Sequence, residues 1–333
     1  MAGGQERLLR RRIRTVESTK KITRAMELIA ASQMVRAQGR IAGSRPYVRG
    51  IERVLADVVA DGTAPERLVG SPESPERVAV VAIVSDRGLC GGYNAFVLRA
   101  ADRVMRTGEQ AGRSYELTTA GKKAIGYFRF RGRRVDHSIT MSDRPTYEHA
   151  RAIAATVVPQ FVAGELDLVQ LVSTRFMSAG TQTVEVRQLL PLELPDESGP
   201  PSRRPRAAAT SEGGAEVHEE PAGREKREGF FEYEPLPEEL LALLVPRYAE
   251  AALYQALLEA SASEHVARQR AMAAATDNAD ELIKNLRRVM NRARQDAITT
   301  EIMEIVGGAE ALRQAAGTEI AAMQEDYEVE ETA

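Results

Sequence analysis

A chain of 333 residues with 43% hydrophobic, 28% charged and only 5% aromatic residues, and no Trp, suits long helices in one or two domains better than a β-sandwich. Its net charge of −3 offers no bulk attraction to nucleic acid or anionic lipid, so any electrostatic function must come from local asymmetry. A single cysteine, Cys90, and four separated His residues exclude an internal disulfide and leave no evident metal site.

Residues 1–60 read as one amphipathic helix. Pro46 is the only proline there, and Ile22, Met26 and Ile29 fall at 4,3 spacing on one face. A bend is expected at Pro46. Residues 1–40 hold ten Lys/Arg against three Glu. This basic stretch lacks the apolar core of an export signal and is read as part of the folded protein.

After "DGTAPERLVGSPESPER" the character changes to "VAVVAIVSDRGLCGGYNAF", a β-branched run ending in glycines. That is a strand covered on both faces, then a loop, then a helix from Tyr93. Further short runs at "SYELTTAG", "RRVDHSI", "LDLVQLVSTRF" and "TQTVEVRQLLPL" alternate with helical stretches at Lys122–Phe128 and Tyr147–Ala163. The alternation predicts an α/β domain over 76–195 with a largely parallel, Rossmann-like sheet.

Residues 196–229 shift to Pro, Gly, Ala and mixed charge, with Val217 the only sizeable apolar residue. Such a stretch cannot offset its ordering entropy and is expected to be a disordered insertion. From 235 to 318 the chain is again helical. Leu282, Leu286, Val289 and Ala293 step by 4, 3 and 4 residues, the spacing of a coiled-coil seam. A helix of such length needs a partner, and the N-terminal helix is the natural one. The expected fold is an antiparallel coiled coil of the N- and C-terminal helices carrying an inserted Rossmann-like α/β domain. Residues 319–333 hold six acids and no Lys or Arg, and read as a mobile acidic tail. No run approaches the ~18–20 apolar residues that cross a bilayer, so no transmembrane segment is expected.

The loop "SDRGLCGGYN" invites a nucleotide-binding reading. Gly88, Gly91 and Gly92 match neither GxxxxGK[ST] nor GxGxxG, so the phosphate cradle lacks its Lys or its spacing. The competing function is a nucleotide-binding α/β enzyme with coiled-coil arms, drawing on Asp86, Asp136, His137, Asp143 and His149. Their arrangement is not diagnostic. A third reading, a nucleic-acid binder using the basic helix, lacks a recognised module or an aromatic stacking platform.

The segments "RRRIRTVESTKKITRAMELIAASQMVRAQ", "SDRGLCGGYN", "EYEPLPEELLALLVPRYAEAALYQALLEASASEHVARQRAMAAATDNA" and "NRARQDAITTEIMEIVGGAEAL", in this order, resemble the gamma subunit of F-type ATP synthases. The resemblance implies a non-catalytic central stalk of a proton-translocating rotary motor. One copy would stand inside three alpha–beta pairs, with the catalytic sites on beta, and its foot would meet the epsilon subunit and the membrane c-ring. It implies no catalytic residue, cofactor or metal. Matched to the family, Lys20, Lys21, Arg24 and Met26 become candidate hexamer contacts, with helix solvation and seam packing as the plainer alternatives. Arg294, Gln295, Thr299 and Glu301 match polar hexamer contacts, or serve helix solubility. "IMEIVGGAEAL" would sit in an apolar bearing. Tyr233 and Glu234 match a segment near the c-ring and epsilon, or are a plain loop. The insertion lies where some family members carry regulatory inserts and, without cysteine, is expected to restrain ATP hydrolysis sterically or electrostatically. Ala/Arg-rich usage points to a high-GC bacterium, which would put the complex at the cytoplasmic face of its plasma membrane as a peripheral assembly.

Overall fold

The computed structural model describes residues 2–60, 67–72, 74–141, 143–193, 234 and 236–331. The expected insertion and Tyr233 lie outside them. The elements in chain order are α1 (Ala2–Ala60), β1 (Arg77–Ile83), α2 (Tyr93–Gln110), β2 (Ser114–Ala120), α3 (Lys122–Phe130), β3 (His137–Ile139), α4 (Tyr147–Ala163), β4 (Leu168–Phe176), β5 (Gln182–Leu190) and α5 (Pro237–Glu331). The chain forms two compact units, Gln33–Val266 and Met1–Ser32 with Ala267–Ala333. No helix among the described residues is long and apolar enough to cross a membrane.

The larger unit is built on a sheet of order β3-β2-β1-β4-β5. β1 lies parallel to both β2 and β4, β3 joins β2 in parallel, and β5 returns antiparallel beside β4. A central parallel strand is covered on both faces, and β1 accordingly has Val78 to Ile83 fully buried. Alternation then sends neighbouring side chains to different cores. Val80 and Ala82 pack with Val97, Ala101 and Met105 of α2 and Phe128 of α3. Ala79, Val81 and Ile83 pack with Val157 and Phe161 of α4, Leu253 and Leu257 of α5, and Leu55 and Val58 of α1. The second core is thus closed by both long helices. α5 presents Ala249, Ala252, Ala256 and Ala260 there, all buried, and these small side chains let its backbone approach closely.

Several polar ties fix the layers. The Tyr147 hydroxyl donates to Glu250 Oε2 at 2.7 Å, joining α4 to α5. Burial, then Glu250, pushes this phenol up to about 12. Gly121 ends β2 at φ +110°, and a Cβ there would lie 2.1 Å from the carbonyl oxygen of Val84, so only glycine fits the passage between β1 and α3. The carboxylate of Asp167 accepts from the backbone N–H of Glu76 at 3.1 Å and of Arg77 at 2.9 Å, and from Arg77 Nη2 at 2.8 Å. It clamps the start of β1 to the turn before β4.

The long C-terminal helix starts at Pro237, contains Pro246, and continues to Glu331, through most of the stretch read as an acidic tail. Pro46 likewise lies inside α1.

Burial alone would raise the Asp167 carboxyl, but the hydrogen bonds from Arg77 and Glu76 outweigh it and hold its pKa below the usual carboxylate range. A depressed folded-state pKa contributes stability that is complete above the unfolded value, ~3.9, and is lost as pH falls through the folded one. Asp167→Asn is expected to lower stability at neutral pH and to flatten the loss on acidification. Urea unfolding of both chains between pH 2 and pH 7 checks this; parallel pH profiles would refute it.

Candidate functional site

The smaller unit pairs the first half of α1 with the second half of α5. Ile13 packs with Ile283 and Leu286, and Leu9, Val16 and Met290 close around them. Further along the pair, Glu17 accepts from Arg287 Nη2 at 2.7 Å, Lys20 pairs with Asp280, and the Thr23 and Thr276 hydroxyls share a hydrogen bond of 2.8 Å. Numbers rise along one helix as they fall along the other, so the pair is antiparallel.

Burial along α1 follows a continuous 4,3 row through Leu9, Ile13, Val16, Lys20, Thr23, Glu27, Ala30, Met34, Ala37 and Ile41, each buried or half-buried. This corrects the apolar face read from sequence. Ile22 and Ile29 are 58% and 61% exposed, one position before the true row, and Met26 is half-buried. The sequence face followed hydrophobicity, whereas this part of the seam is filled by Lys20, Thr23 and Glu27. α5 needs the same correction. Leu286 is buried and Ala293 half-buried, but Leu282 and Val289 are 41% and 50% exposed. The seam there uses Ile283 and Met290 instead.

Magnitudes separate the layers. Burying an aliphatic side chain such as Leu286 stabilises by ~1.5–3 kcal/mol. A part-exposed pair such as Lys20–Asp280 contributes ~0–1 kcal/mol, and a hydroxyl pair such as Thr23–Thr276 about 1 kcal/mol. The polar layers therefore select the pairing register more than they hold the helices together.

The seam also sorts the candidate contact residues. Lys20 is turned inward onto Asp280. Lys21 and Arg24 are exposed, with Arg24 Nη1 held to Glu27 at 2.8 Å. Arg294, Gln295, Thr299 and Glu301 are all exposed, and the Thr299 hydroxyl donates to the carbonyl of Gln295 at 3.0 Å. Residues 298–314 are exposed throughout, so α5 stands there as a lone helix within its unit. It carries Ile298, Ile302, Met303, Ile305, Val306 and Leu312 outward. Together with Leu282 and Val289 these form outward apolar rows that sequence inspection had assigned partly to the seam. A 4,3 count on α5 anchored on the polar Thr276 and Asp280 continues through Ile283 and Met290 and leaves Leu282 and Val289 outside it. Glu234 is exposed.

The residues of the enzyme reading do not converge. Asp136 pairs with Arg134 and accepts from Leu117 N, His137 faces Glu116, Asp143 faces Arg87, and His149 faces Thr146. In the 85–94 loop, Asn94 bridges Ser85 and the buried Cys90, with Nδ2 donating to the hydroxyl at 2.7 Å and lying 3.2 Å from the sulfur. Asp86 Oδ1 accepts from the backbone N–H of Lys122 at 2.8 Å and of Met141 at 3.3 Å. These groups tie the loop to α2 and α3.

A family model described as ATP synthase matches residues 5–312. The ATP synthase gamma chain of Frankia casuarinae is 45% identical over 320 residues, covering 95% of this chain and 99% of that one. That of Streptomyces coelicolor is 40% identical over 318 residues, covering 94% and 98%. Among solved structures, a chain of the Euglena gracilis mitochondrial ATP synthase OSCP/F1/c-ring assembly aligns with a TM-score of 0.61 at 17% identity, over 93% of this chain and 95% of that one. One from the Tetrahymena thermophila mitochondrial ATP synthase central stalk and c-ring aligns at 0.52 and 24%, over 76% and 99%. At these identities the structural likeness concerns the fold, a paired-helix stalk with an inserted sheet; the sequence relatives carry the assignment. This chain belongs to the ATP synthase gamma-chain family.

Proposed function

We propose that this chain is the rotor shaft of a proton-translocating F-type ATP synthase, passing torque between a membrane c-ring and three alpha–beta pairs while catalysing nothing itself. The observation that carries this reading is the inverted surface of the smaller unit. Polar groups occupy part of its seam, while isoleucines, valines, leucines and a methionine face outward along α5. Contiguous exposed apolar surface marks an interaction site, and a helix that is apolar on its outside suits a sleeve of other subunits. An apolar bearing also lacks the directional hydrogen bonds that would pin one angle.

Lys21, Arg24, Arg294, Gln295, Thr299 and Glu301 lie on the outside of the same unit. Charged groups at an interface are stabilised only where they find partners, so an off-axis set gives a contact energy that varies with angle against three neighbours in different states. Lys20 acts within the shaft, through Asp280, and Met26 at the margin of the seam. At the other end Glu234, with Tyr233, is assigned to the c-ring and epsilon. The catalytic sites lie on the beta subunits, and the complex sits at the cytoplasmic face of a bacterial plasma membrane.

Co-expression with the alpha and beta subunits of the same organism, purified by a tag on beta, tests this. The expected product holds one copy of this chain per three alpha–beta pairs, with ATP hydrolysis that depends on it. A chain that never joins the complex sinks the proposal. In that complex, Lys21→Ala with Arg24→Ala is expected to lower hydrolysis severalfold while leaving the thermal stability of the free chain unchanged. Lys20→Ala and Asp280→Asn should instead lower that stability alike, by up to ~1 kcal/mol. Equal effects of all these variants on hydrolysis at unchanged stability would contradict the division of roles. Deleting 196–229 is expected to raise ATP hydrolysis, and an unchanged rate would reject the restraint assigned to the insertion.

A further inference from the structure

The face of the larger unit turned away from both long helices carries a charge excess that the shaft role does not use. Among the described residues α2 and α3 cover that face of the sheet, while α1, α4 and α5 lie on the other. Residues 92–136, which include α2 and α3, hold ten Lys/Arg against four Asp/Glu in a chain whose net charge is −3. All four acids have partners. Asp102 is held by Arg133 at 2.9 Å and Arg106 at 3.2 Å, Glu109 by Arg133 at 2.6 Å and Asp136 by Arg134 at 3.0 Å. Glu116 accepts from Gln160 of α4 at 2.9 Å, on the opposite face. Asp86 and Glu76 approach from neighbouring loops, at the backbone of Lys122 and of Ser114, and with both counted the balance is still positive. Arg99, Arg103, Lys122, Lys123, Arg129 and Arg131 make no ion pair among the described residues.

The excess is densest where α3 ends. Arg129, Arg131, Arg133 and Arg134 fall within six residues, and Phe130 among them is 88% exposed. Exposure of that size on an aromatic ring, with the Arg134 side chain also 88% exposed, means that the corner protrudes. A protruding corner suits a deformable layer better than a rigid partner, which would need a matching hollow. Clustered arginines beside an exposed aromatic ring are also what an anionic lipid surface attracts, the cations to the phosphates and the ring to the interface. Position agrees. β1, β2, β3 and β4 are parallel, so α2, α3 and α4 all end on the side where the strands begin. α5 begins there too, with Ala242 beside Pro159 and Val162 of α4. Glu234, assigned above to the membrane ring, immediately precedes that start, so the basic corner shares its end of the sheet.

We propose that the corner formed by Arg129, Phe130, Arg131 and Arg134 rests on anionic phospholipid headgroups. The arginines meet the phosphates and Phe130 enters the interface between them. The placement argument rests on the rotor reading, whereas the charge and the exposed ring do not.

Sedimentation of the full chain with vesicles tests this, using phosphatidylcholine alone and phosphatidylcholine mixed equally with phosphatidylglycerol, at low ionic strength. Uptake is expected on the mixed vesicles only, falling as salt is added. Arg129→Gln, Arg131→Gln and Arg134→Gln together should weaken it roughly a hundredfold, at about fivefold for each cation near an anionic surface. Phe130→Ser should weaken it severalfold with no change of charge. Arg11→Gln, Arg12→Gln and Arg14→Gln remove as much charge from exposed positions of the smaller unit and should leave it unchanged. Circular dichroism of each variant verifies that the fold is retained. No uptake, equal uptake by neutral vesicles, or equal loss from the two triple variants overturns the proposal. Capture by polyglutamate or DNA without uptake by vesicles also overturns it, and assigns the corner to an acidic protein or a nucleic acid. The assay needs no other subunit, so its failure leaves the result of alpha–beta co-expression standing.

Discussion

The pairing of the two long helices depends on the 4,3 row of buried positions on α1. Two helices from opposite ends of the chain can stay in contact over many turns only if one stripe of each keeps facing the other. On α1 the row begins at Leu9 and continues to Ile41. In the larger unit the same two helices meet the sheet, so Leu55, Val58, Leu253 and Leu257 belong at once to the helix pair and to the domain core. In the smaller unit the helices have no sheet to lean on. The row there alternates between apolar layers and the pairs Lys20–Asp280 and Thr23–Thr276. Aliphatic burial holds the helices to the sheet within the larger unit and polar pairs set their register within the smaller one, a division of labour between strong, undirected contacts and weak, directed ones.

Much of the architecture was legible in the residues. The run from Val78 to Ile83 announces a strand covered on both faces, and α2, α3 and α4 begin at the expected positions. The antiparallel return of β5 beside β4 was less visible, because a parallel and an antiparallel neighbour demand the same alternation of side chains. The seam was misread for a definite reason. Hydrophobic pattern identifies apolar stripes, and it cannot tell a stripe covered by the partner helix from one that another molecule must cover. Ile22, Ile29, Leu282 and Val289 lie on stripes that the partner helix leaves exposed. Lys20 illustrates the complementary blindness: its charge suggested an outward contact, while its partner Asp280 lies 260 positions away, beyond any local pattern.

The glycine-rich loop after β1 shows how a suggestive string can be structural. Its Ser85, Cys90 and Asn94 bond among themselves, and Asp86 reaches across to the starts of neighbouring segments at Lys122 and Met141. The string is demanding because the loop must turn sharply at the end of a buried strand, with Leu89 and Gly91 both at positive φ. Side chains that satisfy one another in this way hold the ends of β1, α2 and α3 in one arrangement, which is what a domain passing force along a helix pair requires.

One feature of the smaller unit has a mechanical side. Past Ala297 α5 has no companion helix among the described residues of its unit, and its side chains from Ile298 to Gln314 are exposed. A single helix twists more readily about its axis than a two-stranded rope, whose strands must also slide along each other to rotate. Under a couple, elastic strain therefore gathers in this last stretch rather than in the paired segment behind it. The lone helix acts as a soft torsion spring in series with a stiff rod.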